Sequence, residues 1–176
     1  MSRRGAATVG TDEDQETDVT QHSADQQKIH ELIKDIRFAM MATTETGRVV
    51  SRPMTPLLIE DDLTLLFITQ RSTDVAQQAD GQSVNLTFVD SGTFVSITGT
   101  GELRDDVELK KQLWNVATTA HTEGGPEDPE NVVLAVVPDS ASYWESDAAP
   151  VAVFSMLKAA VTDEKAHSGG HSTVDL

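Results

Sequence analysis

Apolar residues recur with a helical period in the first patterned stretch of the chain. They stand at i, i+3, i+4 and i+7, which predicts an amphipathic helix, and they are Ile29, Leu32, Ile33 and Ile36. Ser23 and Gln26 at its start have the spacing of a capping box. Three more helices are predicted: 72–80 with Ser72 as the N-cap, 105–117 with Asp105 and Glu108 at capping-box spacing, and 151–161.

Between these helices the chain alternates, or carries short apolar runs, in the manner of β-strands. The predicted strands cover residues 38–44, 48–60, 63–69, 83–89, 93–103 and 131–137, with a further candidate at 142–145. Pro53 and Pro56 lack backbone N–H groups, so the second strand needs an unpaired edge or a bulge there. Gly99 and Gly101 inside a strand pattern predict a bulge or a close backbone approach. Short strands at this spacing predict a mainly β, α+β fold built as a closed or nearly closed barrel.

Charge and composition narrow the class of protein. The 176 residues include 13 Lys and Arg against 29 Asp and Glu, a formal net charge of −16, and 38% of them are hydrophobic. A single domain over 25–176 is predicted at this length, preceded by a disordered acidic arm over 1–24. So acidic a chain is a poor partner for nucleic acid or for an anionic membrane surface.

Several kinds of site and location are excluded by what the sequence lacks. The chain has no cysteine, which excludes disulfides, thiolate metal sites and a cysteine nucleophile. Its longest apolar runs, 132–137 and 38–42, are far shorter than the ~20 residues of a membrane span, and no apolar stretch follows the first arginines as in a signal peptide. We therefore expect a soluble, cytoplasmic protein. The motifs GxSxG, HExxH and the Walker loop are absent, and no metal site is predicted.

Two features of the sequence are candidates for binding an anion. Arg52 lies mid-strand on an otherwise apolar face, where a charged group is costly unless it is paired. It either forms an internal salt bridge or binds an anion, since a guanidinium suits phosphate geometry. The segment 69–73 leads into a predicted helix N-terminus and is either a plain capped helix or a phosphate cradle. We expect the two features to come from neighbouring strands and therefore to be able to hold one phosphate together.

A series of short motifs runs in order over roughly residues 26–176. The motifs are RFAMMAT at 37–43, SRPM at 51–54, LLFIT at 65–69, GTG at 99–101, Leu113-Trp114 followed by Gly125 and Asp128-Pro129, Tyr143-Trp144, and Leu157-Lys158-Ala159. In this order and spacing the chain resembles the general stress protein branch of the pyridoxamine 5'-phosphate oxidase-like, FMN-binding split-barrel family.

The resemblance implies a six-stranded split β-barrel with flanking helices that forms a homodimer and holds flavin mononucleotide (FMN) at the subunit interface. It implies a cofactor-binding set in which Arg52 meets the flavin phosphate and Ser72 and Thr73 form the phosphate turn. Residues lining the ring and ribityl chain would be Pro53, Met54, Ile68 and Thr69. Trp144 matches a tryptophan that approaches the flavin from the partner subunit. The resemblance assigns no catalytic residue.

Two departures from the family pattern affect the expected function. Asp74 stands where the family usually has a lysine facing the phosphate; a carboxylate ~5 Å from a phosphate costs about 3 kcal/mol at an effective dielectric near 20. The Arg-x-His signature of true pyridoxamine phosphate oxidases is missing after the tryptophan, so vitamin B6 oxidation is not expected.

The sequence therefore leaves more than one function open. The first hypothesis is an FMN-binding, general stress protein-like flavoprotein acting as a flavin-dependent oxidoreductase. The alternative is a non-enzymatic stress or binding protein that keeps the dimeric barrel and has lost tight flavin binding, which Asp74 favours. In a third hypothesis the bound cofactor is FAD or a deazaflavin, whose tail makes different contacts from that of FMN. None of these hypotheses names a substrate.

Overall fold

A computed structural model describes residues 24–115, 118–119, 122–145 and 170–176. Residues 1–23 of the predicted acidic arm (1–24), the proposed cap at Ser23 and the predicted helix over 151–161 lie outside these described residues; residue 24 already belongs to a helix. Among the described helices, none has the length and apolar character that a membrane crossing requires.

One antiparallel sheet of eight strands organises the described chain. After helix α1 (24–33), the elements in chain order are β1 (Ala39–Glu45), β2 (Arg48–Met54), β3 (Leu58–Ile59), β4 (Leu65–Gln70), α2 (Asp74–Ala79), β5 (Ser83–Asp90), β6 (Thr93–Arg104), α3 (Val107–Leu113), β7 (Asn131–Glu145) and β8 (Gly170–Asp175). The strand order is β2-β1-β5-β6-β7-β4-β3, and β8 pairs with β7 beyond that path.

The connection between the two edge strands shows that the sheet curls into a split barrel. β2 and β3 stand at opposite ends of the strand order, yet only residues 55–57 separate them in the chain. Four Cα steps span at most about 15 Å, since neighbouring Cα atoms are about 3.8 Å apart. The two edges must therefore come close, although no ladder joins them within the described strands. This confirms the predicted mainly β, α+β split-barrel class.

All six predicted strands are present, with three differences in detail. The strand predicted over 48–60 is broken into β2 and β3 near Pro56, because a proline cannot donate to a ladder. The segments 131–137 and 142–145 form one long strand, β7, which continues through Pro138. β8 in the C-terminal segment was not predicted; it pairs with residues 140–145 of β7.

Gly99 and Gly101 behave as their positions in a strand predicted. The β6–β7 register shifts between Thr98 and Gly99, which marks a bulge. A Cβ at Gly99 would meet the carbonyl group of Val137 in the neighbouring strand, 2.9 Å from its carbon atom. A Cβ at Gly101 would meet the carbonyl group of Ala79 in α2 in the same way. These glycines let β6 approach β7 and α2 more closely than any side chain permits.

The core lies inside the barrel, and a smaller cluster lies outside it. Inward-facing residues of the strands, including Met41, Phe67 and Leu86, pack with Ile29 and Ile33 of α1. The outer cluster joins the opposite face of β4 and β7 to the apolar face of α3; it contains Leu66, Leu113, Val133 and Ala135, with Leu57, Ile68 and Leu109 at its margin. The amphipathic pattern of α1 therefore closes one side of the barrel interior.

Two predicted helix caps are wrong by one residue. α2 begins at Asp74 with Thr73, not Ser72, as the N-cap, and the Thr73 side chain accepts from the backbone N–H of Ala76. α3 begins at Val107 with Asp106, not Asp105, as the N-cap, and Asp106 accepts from Leu109. In each case two capping-type residues stand side by side, and the packing of the helix decides which of them caps.

Candidate functional site

Arg52 lies on the inner side of β2 and reaches across to α2. Its Nη1 donates to Thr43 Oγ1 of β1 at 2.6 Å, and its Nη2 donates to Gln78 Oε1 of α2 at 2.9 Å. Thr43 Oγ1 in turn donates to Gln78 Oε1 at 2.7 Å. Thr43 is only 2% exposed, whereas Arg52 and Gln78 are half-buried. These three side chains, which we call the Arg52 triad, join two strands to α2.

The Arg52 triad contains a positive charge without a carboxylate to balance it. Both protein partners of the guanidinium are neutral oxygens, and no acidic residue of the described ranges forms a salt bridge with Arg52. Of the two alternatives that the sequence left open, the internal salt bridge is therefore not formed among the described residues. A half-buried, uncompensated guanidinium with remaining N–H donors is suited to binding an anion.

The segment 69–73 forms a tight, hydrogen-bonded turn before α2. Thr69 Oγ1 and Thr73 Oγ1 are 3.0 Å apart, and Thr73 Oγ1 also donates to the Gln70 carbonyl oxygen at 2.6 Å. Ser72 is exposed, and its carbonyl oxygen accepts from Gln77 Nε2 at 3.2 Å. Hydroxyl groups are thus concentrated at this turn as predicted, but most of them are already engaged by the chain itself.

A carboxylate of this chain occupies one donor of the same turn. The backbone N–H of Ser72 donates to Glu130 Oε1 at 2.7 Å, and the N–H of Arg71 donates to the Glu130 carbonyl oxygen at 2.8 Å. Hydrogen bonding by Ser72 is the main cause that holds the pKa of the Glu130 carboxyl below its ordinary value, and the Arg71 charge adds to it. Glu130 is therefore ionised at neutral pH, and the contact is lost in acid as the carboxyl protonates.

The positions of Arg52 and the turn differ from the prediction in one respect. β2 and β4 are not neighbouring strands, because four strands separate them in the order. The curl of the barrel and α2 bring the two features together: the turn leads into α2, and Arg52 contacts Gln78 near the other end of this helix. At 1.5 Å per residue, Gln78 lies about 7–8 Å along the helix from Thr73.

Asp74, the residue that departs from the family pattern, is exposed at the first position of α2. It precedes Gln78 by four residues, so the two side chains share one face of the helix. Asp74 is not the N-cap, since Thr73 takes that place. Asp74 therefore lies on the face of α2 whose Gln78 accepts a hydrogen bond from Arg52.

The other predicted site residues are divided between two sides of the sheet. Met54 packs at the margin of the barrel core, while Pro53 is exposed on the opposite face of β2. Ile68 packs in the cluster beneath α3, so its side chain points away from the barrel interior. Trp144 is 42% exposed on the outer face of β7. The structure thus brings Arg52, Thr69 and Thr73 toward α2 and leaves Pro53, Ile68 and Trp144 elsewhere.

Exposed apolar side chains form a row on the outer face around Trp144. The strand register places Val89, Phe94 and Trp144 side by side on β5, β6 and β7. Their exposed fractions are 54%, 43% and 42%. Contiguous apolar surface of this kind is typical of an interaction site.

A separate cleft of about 370 Å³ lies between the end of α1 and residues 55–59. Its walls include His30, Lys34, Arg37 and Pro56, and none of the predicted site residues lines it. The predicted flavin contacts therefore do not coincide with this cavity.

Three residues of the site were missed by reasoning from sequence. Thr43 is a polar residue that follows Ala39 and Met41 on the inward face of β1, and this break in an apolar alternation was a usable signal. Gln78 and Glu130 gave no such signal, because their roles depend on α2 meeting β2 and on the 122–131 segment meeting the turn.

Comparison with known proteins gives a consistent family assignment. The family model described as pyridoxamine 5'-phosphate oxidase like matches residues 24–167. A comparison with curated proteins finds no match.

Solved structures extend this likeness to the fold. A protein assigned as general stress protein 26 from Jannaschia sp. CCS1 is 27% identical and superposes with a TM-score of 0.63; the match covers 91% of this chain and 99% of that chain. The general stress FMN/FAD binding protein from the phytopathogen Xanthomonas citri is also 27% identical, with a TM-score of 0.60, covering 70% of this chain and 90% of that one. General stress protein 26 from Bacillus anthracis str. Sterne, at 22% identity and a TM-score of 0.60, covers 67% and 92% and supports the fold.

Proposed function

The chain belongs to the pyridoxamine 5'-phosphate oxidase-like family, in its general stress protein branch, and on that premise we propose that it binds FMN with Arg52 on the phosphate. The observation that carries this proposal is the Arg52 triad. It holds a guanidinium by neutral partners and leaves its charge uncompensated. The name of the Xanthomonas citri relative, an FMN/FAD binding protein, supports a flavin as the ligand.

In this proposal the cofactor and the chain have separate tasks. A bound flavin supplies the redox chemistry of an oxidoreductase. Arg52 would anchor the phosphate through charge-assisted hydrogen bonds, and Thr69 and Thr73, whose hydroxyls hydrogen-bond to each other at the start of α2, would border it. The described residues offer no pair of groups arranged for general acid and base catalysis, so we assign the chain the work of binding and orienting.

Two carboxylates oppose a phosphate at this site. Asp74 lies on the same helix face as Gln78, and Glu130 occupies the N–H of Ser72. Each lowers the local affinity for a dianion, because like charges repel through the partly screened surface. This arrangement favours a second candidate function, a dimeric stress or binding protein in which the flavin is held weakly or not at all. FAD or a deazaflavin, whose tails differ, remains the alternative cofactor.

Replacing Arg52 by alanine is expected to weaken FMN binding by about 1.5–3 kcal/mol, the range for a charged hydrogen-bond partner. Asp74→Lys is expected to strengthen it, because a repulsive charge becomes attractive. Titration of the purified proteins by flavin fluorescence quenching measures both changes.

Riboflavin is the control for these titrations, because it lacks the phosphate. Its affinity should respond to neither substitution, and added salt should reduce the gain from Asp74→Lys, since Asp74 is exposed. If Arg52→Ala leaves FMN affinity unchanged while the flavin still binds, Arg52 is not the phosphate ligand. If the wild-type protein binds no flavin, the cofactor-free alternative holds.

We also propose that two copies pair through the outer face of the sheet. The exposed row of Val89, Phe94 and Trp144 supports this, since burying it removes apolar area from water. Sedimentation velocity at micromolar concentration should show a dimer, and Phe94→Glu should shift it toward the monomer. A wild-type protein that sediments as a monomer would contradict the pairing.

A further inference from the structure

We infer that Gln78 and Thr43 are positioning residues for Arg52: they fix the direction in which its guanidinium meets the flavin phosphate. The inference rests on the proposed function, and it assigns a task to two residues outside the predicted cofactor-binding set. It is carried by the closed triangle of hydrogen bonds within the Arg52 triad.

The triangle determines the role of each atom. Gln78 Oε1 accepts from Arg52 Nη2 at 2.9 Å and from Thr43 Oγ1 at 2.7 Å, so the amide oxygen faces both donors. Thr43 Oγ1 donates its only proton to Gln78 and accepts from Arg52 Nη1 at 2.6 Å. Each hydroxyl, amide and guanidinium orientation is set by the other two.

Restraint by neutral partners preserves the charge that a phosphate needs. A guanidinium has five N–H donors in a planar fork, and the triangle uses one from each Nη atom. The remaining donors are left for an anion. A carboxylate at position 78 would hold Arg52 equally well but would neutralise its charge. The neutral amide of Gln78 orients the guanidinium and leaves its positive charge available for the phosphate.

Thr43 supplies rigidity at the inner end of the triangle. It is 2% exposed and lies on the inward face of β1 with Ala39 and Met41. Its hydroxyl is therefore shielded from water, which strengthens its hydrogen bonds to Arg52 and Gln78. Fixing the fork before the ligand arrives reduces the ordering cost of binding.

The sharpest test compares Gln78→Glu with Gln77→Glu. Both substitutions are isosteric and add the same charge to α2, but Gln77 is exposed and its side chain hydrogen-bonds to the Ser72 carbonyl oxygen rather than to Arg52. Gln78→Glu is expected to lower FMN affinity about 10-fold to 100-fold and to leave riboflavin affinity unchanged, because it pairs with Arg52. Gln77→Glu is expected to change FMN affinity by no more than about 3-fold, since exposed charges are screened.

Thr43→Val and Gln78→Ala test orientation without adding charge. Each should lower FMN affinity while riboflavin affinity holds. A role limited to the stability of the barrel would instead lower the affinity for both flavins together, or the melting temperature with no change in their ratio.

A flavin-free measurement separates this inference from the proposed function. In ¹⁵N-labelled protein without flavin, the side-chain Nη protons of Arg52 should exchange slowly with water in the wild type and rapidly in Gln78→Ala. Equal exchange in the two proteins overturns the positioning role whether or not flavin binds. An FMN-to-riboflavin affinity ratio that moves equally in Gln78→Glu and Gln77→Glu overturns it as well. If slow exchange is found but the wild type binds no FMN, the proposed function fails and the positioning of Arg52 for a flavin phosphate fails with it.

Discussion

Replacing Lys110 by methionine is expected to lower the free energy of unfolding by about 3 kcal/mol. Lys110 is fully buried, and its three ammonium donors all have acceptors: Asp105 Oδ1 at 2.9 Å, the Asn131 carbonyl oxygen at 2.8 Å and the Asp128 carbonyl oxygen at 3.3 Å. Methionine fills a similar volume but removes the ammonium, so the buried Asn131 carbonyl oxygen loses its donor, while the Asp128 carbonyl keeps the Asn131 N–H and Asp105 keeps Arg71. Loss of a buried hydrogen bond to a charged group costs about 1–3 kcal/mol. Urea denaturation of both proteins measures the difference.

Lys111→Met is the matched control for this prediction. Lys111 is the next residue of α3, and its ion pairs with Glu108 and Glu127 are solvent-exposed. Its loss should change the free energy of unfolding by less than about 1 kcal/mol, as for most surface pairs. Equal effects of the two substitutions would contradict a structural role of the buried ammonium, which ties α3 to the segment carrying Glu130.

Gly101→Ala is expected to destabilise the protein by at least about 2 kcal/mol, because the added Cβ meets rigid backbone. It would approach the carbonyl group of Ala79, 2.9 Å from its carbon atom, where α2 ends. Gly101 also exchanges backbone hydrogen bonds with the segment after α2, from Gly81 at 2.8 Å and to Gln82 at 3.0 Å. Either β6 or α2 must move, so the Arg52 triad should be disturbed too.

Gly125→Ala provides the control for Gly101→Ala. A Cβ at Gly125 meets nothing within 4 Å, so this substitution should be close to neutral or slightly stabilising by restricting the unfolded chain. Thermal and urea unfolding of the two variants tests the pair. A Gly101→Ala protein as stable as Gly125→Ala would show that β6 and α2 are not held at the distance the structure gives.

The strands were predictable because their signal is local. Inward residues such as Met41 and Leu86 recur every second position, and the period of a pleated strand is two. Pro56 and Gly99 also acted through their own backbone, as a missing donor and as a missing side chain. Strand positions that depend on such local properties can be predicted without knowing which strands pair.

The site was less predictable because its contacts cross long stretches of chain. Arg52 was identified as a charge on an apolar face, but Thr43 and Gln78 are 9 and 26 residues away in sequence. Glu130 reaches Ser72 across 58 residues. The strand order determines which of these residues come into contact. The prediction that β2 and β4 are neighbouring strands was wrong, because four strands separate them in the sheet and only the curl of the barrel brings them closer.

The same limit explains the misplaced helix caps. Ser72 and Asp105 have the right chemistry for capping, yet their neighbours Thr73 and Asp106 cap the helices. The carboxylate of Asp105 is engaged instead by Lys110 and Arg71. Ser72 makes a tertiary contact through its backbone N–H, which donates to Glu130. The hydrogen bond and charge of Lys110 hold the pKa of the Asp105 carboxyl below its usual value, and Arg71 adds to this.

The central claim is that Arg52 gives this chain a site for a flavin phosphate. The most direct measurement is a pair of titrations of the flavin-free wild-type protein, one with FMN and one with riboflavin, repeated at low and high salt. The account predicts tighter binding of FMN than of riboflavin, with a preference that salt weakens and that Arg52→Ala removes. Equal affinity for the two flavins, or a preference for FMN that survives in Arg52→Ala, would contradict it.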